Sequence, residues 1–355
     1  MKLHEFATTT TDPRERGREI GAAFSAQIRR TSERYLSHFE LIGIGRATVR
    51  EIAANSSAAL EQWCPDLAAE AAGLAEGADL EPWRAAAVGA RTEILTAAPG
   101  VGECTTAVFV PESGAPETIQ TWDWHDHLTP EGLLLATVGR AGHRVKLFTE
   151  FGTAAKIGLN DAGLGLHFNI LRHQADHLGG GVPVHAVARR VLDEATTVAE
   201  AVELVASARV SASTVLTVVS YHDGRGDAAA IEMSPAGTAV VEPLADGWVF
   251  HTNHFLDPRL AAGDESTPDS ATVERYDHAR EMRADMVGRT PERRAAAFCG
   301  SAGADAVVCM RADTSKPEHE QWGTLLTASL DLPGFAIDYL AATPDIAARE
   351  GLHRF

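Results

Sequence analysis

Positive charge is scarce in this chain. Its 355 residues carry 31 Lys and Arg against 49 Asp and Glu, a formal charge of −18. Nonspecific binding to nucleic acid or to anionic lipid needs a basic surface, so both are excluded as partners. No stretch approaches the roughly 18 uninterrupted apolar residues of a spanning helix, and no membrane partner is expected. The opening MKLHEFATTTTDPRERG lacks the basic segment and apolar run of a secretory signal. The four cysteines (Cys64, Cys104, Cys299 and Cys309) form no CxxC pair, which suits a reducing compartment. A cytoplasmic location is the expectation.

Several chemistries are missing as well. There is no G-x-S-x-G elbow and no P-loop. Gly163-Leu164-Gly165 falls between two strand patterns rather than between strand and helix, so it is no dinucleotide fingerprint, and no cofactor is expected. His125 and His127 flank Asp126, and His173 and His177 stand four apart, but no HExxH pattern or thiolate cluster reinforces them. They read as surface or hydrogen-bonded histidines, and no metal is expected. Arg225-Gly226-Asp227 reads as hairpin-turn chemistry.

What is present changes character at Cys104. Before it, apolar residues recur at helical spacing. Asp12-Pro13 opens a stretch carrying Ile20, Phe24, Ile28, Tyr35 and Phe39, and Val49, Ile52, Leu60 and Trp63 suggest a second helix. Pro65 introduces a third, and Glu81-Pro82-Trp83 begins a fourth that runs to Leu95. From Cys104-Thr105-Thr106-Ala107-Val108-Phe109-Val110 onward the period is two. Strands are expected at 117–124, 133–138, 144–151 and 156–169, then at 214–220, 228–233, 237–241 and 248–253, and finally at 306–311, 324–330 and 335–340. Helices are expected over 183–208, with Thr196 or Thr197 as an internal cap, and over about 270–301. Residues 261–270, small, acidic and proline-containing, suit a flexible loop. Strands and helices in this order fit helices segregated onto the outer faces of packed antiparallel sheets, an α+β fold. The chain divides at a helical leader, 1–103, and a β-rich body, 104–355.

A nucleophilic side chain at the first residue of a β-body, behind a helical leader, suggests a precursor cut between Glu103 and Cys104. The new N-terminus then supplies nucleophile and base together. Its α-amino group has a reference pKa of about 7.7–8.0, well matched to a general base near neutral pH. A thiol beside that amine needs no separate histidine. Cys299 and Cys309 read as small core residues.

The series Arg91-Thr92-Glu93-Ile94, Cys104-Thr105, Trp122-Asp123-Trp124, Gly158-Leu159-Asn160-Asp161-Ala162-Gly163-Leu164 and His251-Thr252-Asn253-His254-Phe255 resembles the isopenicillin N acyltransferase family, cysteine N-terminal-nucleophile hydrolases. Arg14-Glu15-Arg16-Gly17 is similar to that family's opening helix. The resemblance covers nearly the whole chain. It implies a four-layer αββα fold and an autocatalytically cleaved zymogen whose two segments stay associated. It also implies amide hydrolysis or acyl transfer through a Cys104 acyl-enzyme, on a small-molecule amide or acyl-thioester substrate, with an amine as acceptor in the transfer case. Asp123 would hold the new amino terminus and thiol, and Asn253 and Asn160 are candidate oxyanion donors. Two departures stand out. Glu103 occupies a position where the family has glycine, so self-cleavage meets a side chain. Asp331-Leu332-Pro333-Gly334-Phe335 replaces a basic segment, so no arginine is carried over. The alternative is an uncleaved homologue that acts as a binding or scaffold protein with a blocked pocket.

Overall fold

The structure, a computed structural model, describes residues 1–98, 103–266 and 271–355, with Glu103 described by its backbone alone. Gly102, and residues 267–270 of the expected flexible loop, lie outside the described residues.

The leader begins with a strand, β1 (Lys2–Ala7), which the sequence reading did not foresee. Helices α1 (Pro13–Ala23), α2 (Ser25–Leu41), α3 (Arg46–Trp63), α4 (Pro65–Gly77), α5 (Pro82–Gly89) and α6 (Arg91–Leu95) follow. The first expected helix is broken at Phe24 (φ −124°) and the fourth at Ala90 (φ −103°). Asp12 caps α1 by accepting from the Glu15 amide, with Pro13 in its first turn. Helices α1 and α4 cross on facing glycines. A Cβ on Gly17 would meet Glu70 O, and one on Gly73 would meet Arg14 O; Gly21 and Gly77 repeat the pattern one turn on. Only glycine admits backbones that close.

The body holds two sheets. In the first, β1 is joined by β4 (Glu131–Val138), β5 (Arg144–Glu150), β6 (Ile157–Asn160), β7 (Leu164–Ile170), β8 (Thr214–His222), β9 (Arg225–Ser234) and β10 (Gly237–Val241), in the order β1-β4-β5-β6-β7-β8-β9-β10. The β1–β4 pair is parallel and the others are antiparallel. The second sheet runs β11 (Trp248–His251), β2 (Glu103–Phe109), β3 (Glu117–Trp124), β12 (Gly323–Asp331), β13 (Ala336–Leu340) and β14 (His353–Arg354). Helices α7 (Val184–Glu194), α8 (Val198–Ser207), α9 (Pro258–Ala261), α10 (Thr272–Met286), α11 (Pro291–Cys299) and α12 (Pro344–Glu350), with 3₁₀ helices at Gly300–Asp305 and Glu318–Glu320, complete the described elements. Thr197 caps α8 through a reciprocal box with Glu200.

Alternation along the strands sorts side chains into layers. Leu134, Phe148, Ile157, Val215 and Val219 of the first sheet meet Cys104, Val108, Trp122, Leu326 and Ala328 of the second in one core. The other face of the first sheet, with Leu133, Leu147, Leu166, Val218 and Ile231, packs on α7 and α8. The other face of the second, with Ala107, Ile119, Trp248 and Phe250, packs on α10, α11 and α12. The order of layers is therefore αββα, an α+β fold. Tyr35, Phe39, Ile52, Val88 and Ile94 of the leader enter the core between the sheets, and Glu93 accepts from the Val184 amide at the start of α7 (2.8 Å).

Two expectations need revision. Residues 156–169 form a hairpin rather than one strand, turning at Gly163 with φ +89°. No strand forms at 306–311. Ala306, Val308 and Cys309 are apolar because they pack irregular backbone beneath α10 and α11, not because they pair.

Candidate active site

Cys104 is the second residue of β2, 3% exposed, paired with Trp122 of β3 and turned into the core between the sheets. Its backbone is held by side chains from three other elements. Its amide donates to Asn253 Oδ1 (2.9 Å), just beyond β11. Its carbonyl accepts from Arg275 of α10 (2.7 Å) and from Asn169 Nδ2 of β7 (3.1 Å). Arg275 also donates to Asn253 Oδ1 (2.9 Å) and to Thr105 Oγ1 (2.9 Å). Two donors converge on the same Asn253 atom, which fixes that atom as the oxygen. Asn253 Nδ2 in turn donates to the Ile170 carbonyl (2.8 Å). In this arrangement the side chain is an acceptor toward Cys104 rather than an oxyanion donor.

Asp123 is fully buried on β3, opposite Glu103. Neither of its carboxylate oxygens has a well-formed hydrogen bond among the described residues. Burial pushes its carboxyl up to about 7, against the pull of Arg275 and the nearby Thr324 hydroxyl. The Cys104 thiol is pushed up to about 12, first by burial and then by Asp123, while the Asp123 amide, Lys156 and Arg275 oppose the rise. With the Glu103–Cys104 peptide intact, the thiol is therefore held protonated.

Asn160 stands elsewhere. Its Nδ2 donates to Leu192 O (3.0 Å) and Ala195 O (2.8 Å), and its Oδ1 accepts from the Leu164 amide (3.1 Å). These bonds tie the hairpin turn to the end of α7, and the structure does not bring Asn160 to Cys104. Arg275, Asn169 and Lys156 were not singled out from the sequence. Arg275 did carry a signal: the buried positions of α10 are Thr272, Arg275, Ala279 and Met286, so an arginine occupies a helix's inward stripe. Asn169 had none, because it reaches the site across the gap between the sheets.

Beside Cys104 lies a buried ionic cluster. Glu150 Oε1 accepts from Arg91 (2.6 Å) and lies 2.9 Å from Lys156 Nζ, while Oε2 accepts from Thr129 (2.9 Å) and from the Tyr35 hydroxyl. Two strong cations so close hold the Glu150 carboxyl well below the usual range despite its burial.

The histidines make local contacts. His38, His125 and His127 cluster with ring centroids 5.4–5.5 Å apart, their planes tilted or edge-on, and His125 Nδ1 meets Gln321 O at 2.7 Å. His173 and His177 each accept an amide two residues on. Among the described residues no three His, Cys, Asp or Glu side chains are arranged to hold a metal ion, and no helix is long and apolar enough to cross a membrane. A cavity of about 480 Å³ lies under the leader helices, lined by Leu60, Leu67, Ala75, Leu133 and Phe151. Cys104, Asp123, Asn253 and Arg275 do not line it.

Residues 112–344 match the family described as acyl-coenzyme A:6-aminopenicillanic acid acyl-transferase. That span includes Asp123, Asn253 and Arg275 and begins eight residues after Cys104. A similar protein is the acyl-coenzyme A:6-aminopenicillanic-acid-acyltransferase 40 kDa form of Emericella nidulans, 31% identical over 219 residues, 59% of this chain and 57% of that protein. The chain thus spans a little over half of that relative's length. Penicillin V acylase from Agrobacterium tumefaciens aligns in structure with a TM-score of 0.37 at 17% identity, over 67% of this chain and 83% of that one; a likeness at that level carries no further argument. The matched two thirds of the sequence is sufficient for one conclusion: this chain belongs to the acyl-coenzyme A:6-aminopenicillanic acid acyl-transferase family.

Proposed function

We propose that the chain is an amide-bond hydrolase or acyltransferase that works through a Cys104 acyl-enzyme after cutting itself between Glu103 and Cys104. The observation that carries this reading is the grip on Cys104: its amide and its carbonyl are both bound by buried side chains, Asn253, Arg275 and Asn169. A cysteine that served only to fill a core would need no such grip.

In maturation the thiol sulfur attacks the Glu103 carbonyl carbon. The carbon–nitrogen bond breaks, the nitrogen takes up a proton, and a thioester forms. Water cleaves the thioester, leaving a Glu103 carboxylate and a free Cys104 thiol and amine. The amide that Asn253 now binds becomes an ammonium or amine, so the Oδ1 acceptor would aim the base. Asp123, close enough to Cys104 to raise its thiol, would face the new amine as an orienting carboxylate.

In turnover the amine takes the thiol proton, the thiolate attacks a substrate carbonyl, and the leaving amine or thiol departs with a proton. Water then releases the acid, or an acceptor amine takes the acyl group. The relative's name joins an acyl-coenzyme A to an aminopenicillanic acid. It supports a small-molecule acyl thioester as donor and an amine as acceptor, and the chemistry at Cys104 allows both outcomes. The leader and the body would act together as one enzyme of two segments, 1–103 and 104–355.

A second reading, an uncleaved binding protein, is favoured by one observation: Glu103 and Cys104 lie in unbroken strand register with Asp123 and Trp122. The two readings separate in one experiment. Cys104→Ala is expected to abolish amide and thioester turnover, while Cys299→Ala and Cys309→Ala, whose sulfurs touch at 3.5 Å in the outer core, leave it within a few fold. Full turnover in Cys104→Ala overturns the enzyme reading as stated.

A further inference from the structure

We propose that Cys299 and Cys309 form a modification site, a dithiol that a peroxide oxidises to an intrachain disulfide, clamping Thr324 opposite Asp123. The site is separate from Cys104 and does not depend on how Cys104 reacts. Its ground is a juxtaposition of sulfurs. Cys299 ends α11, and Cys309 follows ten residues later with its Sγ 3.5 Å from that of Cys299. Both lie in the outer core beneath the second sheet, 2% and 6% exposed, whereas Cys104 and Cys64 lie in two other cores.

The chain between the two cysteines is shaped to return. Gly300 (φ +59°) and Gly303 (φ +54°) stand in the left-handed region that glycine alone enters freely. The Cys309 amide then donates to Ala306 O (2.8 Å), and its thiol donates to Gly303 O (3.6 Å). The Cys299 thiol is left to donate to the Cys309 sulfur. A disulfide holds its sulfurs about 2.0 Å apart, so roughly 1.5 Å of closure is needed. The space around Gly303 is open enough for its loop to follow, since a Cβ there would meet nothing.

What the bridge would hold is set by the next residue. The Met310 amide donates to Thr324 Oγ1 (3.1 Å), and its carbonyl accepts from the Thr324 amide (2.9 Å). Thr324 is the register partner of Asp123, just where β12 shifts against β3. One residue and two hydrogen bonds therefore connect Cys309 to the strand position across from Asp123.

The oxidation balances with a peroxide as the only co-reactant. A thiolate attacks one peroxide oxygen, the O–O bond breaks, and the other oxygen leaves as water after taking a proton. The second sulfur attacks the sulfenic acid so formed, the S–O bond breaks, the S–S bond forms and a second water departs. Two thiols lose two electrons and two protons, and hydrogen peroxide becomes two waters. Cys309, the more exposed, meets the peroxide, and Cys299 resolves. The bond from Cys299 first, and burial second, hold the Cys309 thiol up, so the first step is slow at neutral pH and is tested under mildly alkaline conditions.

The test treats the full chain with hydrogen peroxide, blocks free thiols with iodoacetamide and digests with trypsin. Cleavage after Arg294 and Arg311 leaves both cysteines on one peptide, 295–311. That peptide is expected to lose two hydrogens and escape alkylation, dithiothreitol is expected to reverse both changes, and Cys64 stays open to alkylation once the chain is unfolded. Any oxygen gained by Met310 is read separately by fragmentation. Cys299→Ser sets the unbridged baseline. In the bridged protein the Met310 and Thr324 amides are expected to exchange hydrogen at least a few fold more slowly, and the melt to rise by a few degrees, as closing a short loop implies. Two free thiols after treatment, or a Cys309 oxidised further while Cys299 stays free, overturns the dithiol. A bridged peptide with unchanged exchange at Met310 and Thr324 overturns the clamp. None of these readouts passes through turnover, so failure here leaves the Cys104 reading intact, and full turnover in Cys104→Ala leaves this proposal standing.

Discussion

Asn253 offers its oxygen, not its nitrogen, to Cys104. Its position at the end of a strand suggested an N–H donor for an oxyanion, yet its oxygen binds the Cys104 amide and Arg275 while its nitrogen is engaged with Ile170. Two substitutions separate the roles. Asn253→Ala removes both, and turnover is expected to fall by roughly 10²–10³, the scale of a lost oxyanion contact. Asn253→Asp keeps the acceptor and can pair with Arg275. If aiming the amine is the larger task, Asp retains at least about tenfold more activity than Ala, since a hydrogen bond to a charged group is worth about 1.5–3 kcal/mol. Equal loss in both variants assigns oxyanion donation instead. Asp123 makes a different prediction at the same scale. Its folded pKa, about 7, lies above the unstrained 3.8. Between those values the native state keeps a proton that the unfolded state has lost, so this group's contribution falls as pH rises from about 4 to about 7 and stays low above that. Asp123→Asn should therefore melt higher than wild type at pH 8 and close to it at pH 4, although its turnover is lost. Equal melting differences at both pH values would show that Asp123 ionises freely in the fold.

At the scale of elements, locally encoded features were legible and tertiary ones were not. The cap at Thr197 and the prolines opening α4 and α5 each rest on neighbours in sequence. The missed strand β1 is six residues of mixed exposure, KLHEFA, whose pairing partner lies at 131–136. Val307-Val308-Cys309 looked like a strand because burial under α10 and α11 demands the same residues as a ladder does. Arg275 and Asn169 reach the Cys104 carbonyl from two separate elements, a convergence that no spacing encodes. The α1–α4 crossing was hidden for a related reason: four glycines read as weak helix formers until the partner helix is in place. Gly73→Ala tests that crossing. Its Cβ would enter the Arg14 carbonyl, backbone that cannot swing aside, and the loss of stability is expected to be about 1–3 kcal/mol or more. A melt unchanged from wild type would mean that the helices separate at no cost and that the crossing is not a fixed feature.

For the whole molecule, the leader is woven into the body. It supplies an edge strand to the larger sheet through β1, a cap to α7 through Glu93, and Arg91 to the carboxylate beside Lys156. Cleavage at Glu103 would cut one peptide bond and leave these contacts in place, so the two segments are expected to co-elute under native conditions and to part only in denaturant. The change of period at Cys104 marked this boundary in the sequence, and the family resemblance gave it a meaning. The depth of the leader's packing came only with the fold, because Tyr35, Phe39 and Ile94 look the same in a detachable helix as in a shared core. The central claim is that Cys104 becomes an N-terminal nucleophile, and intact mass of the purified full chain tests it most directly. The account predicts two co-eluting fragments that divide between Glu103 and Cys104 in the wild type, and a single uncut chain without turnover in Cys104→Ala. A wild-type chain that stays whole while it turns over substrate, or a Cys104→Ala chain that still divides at that bond, would contradict it.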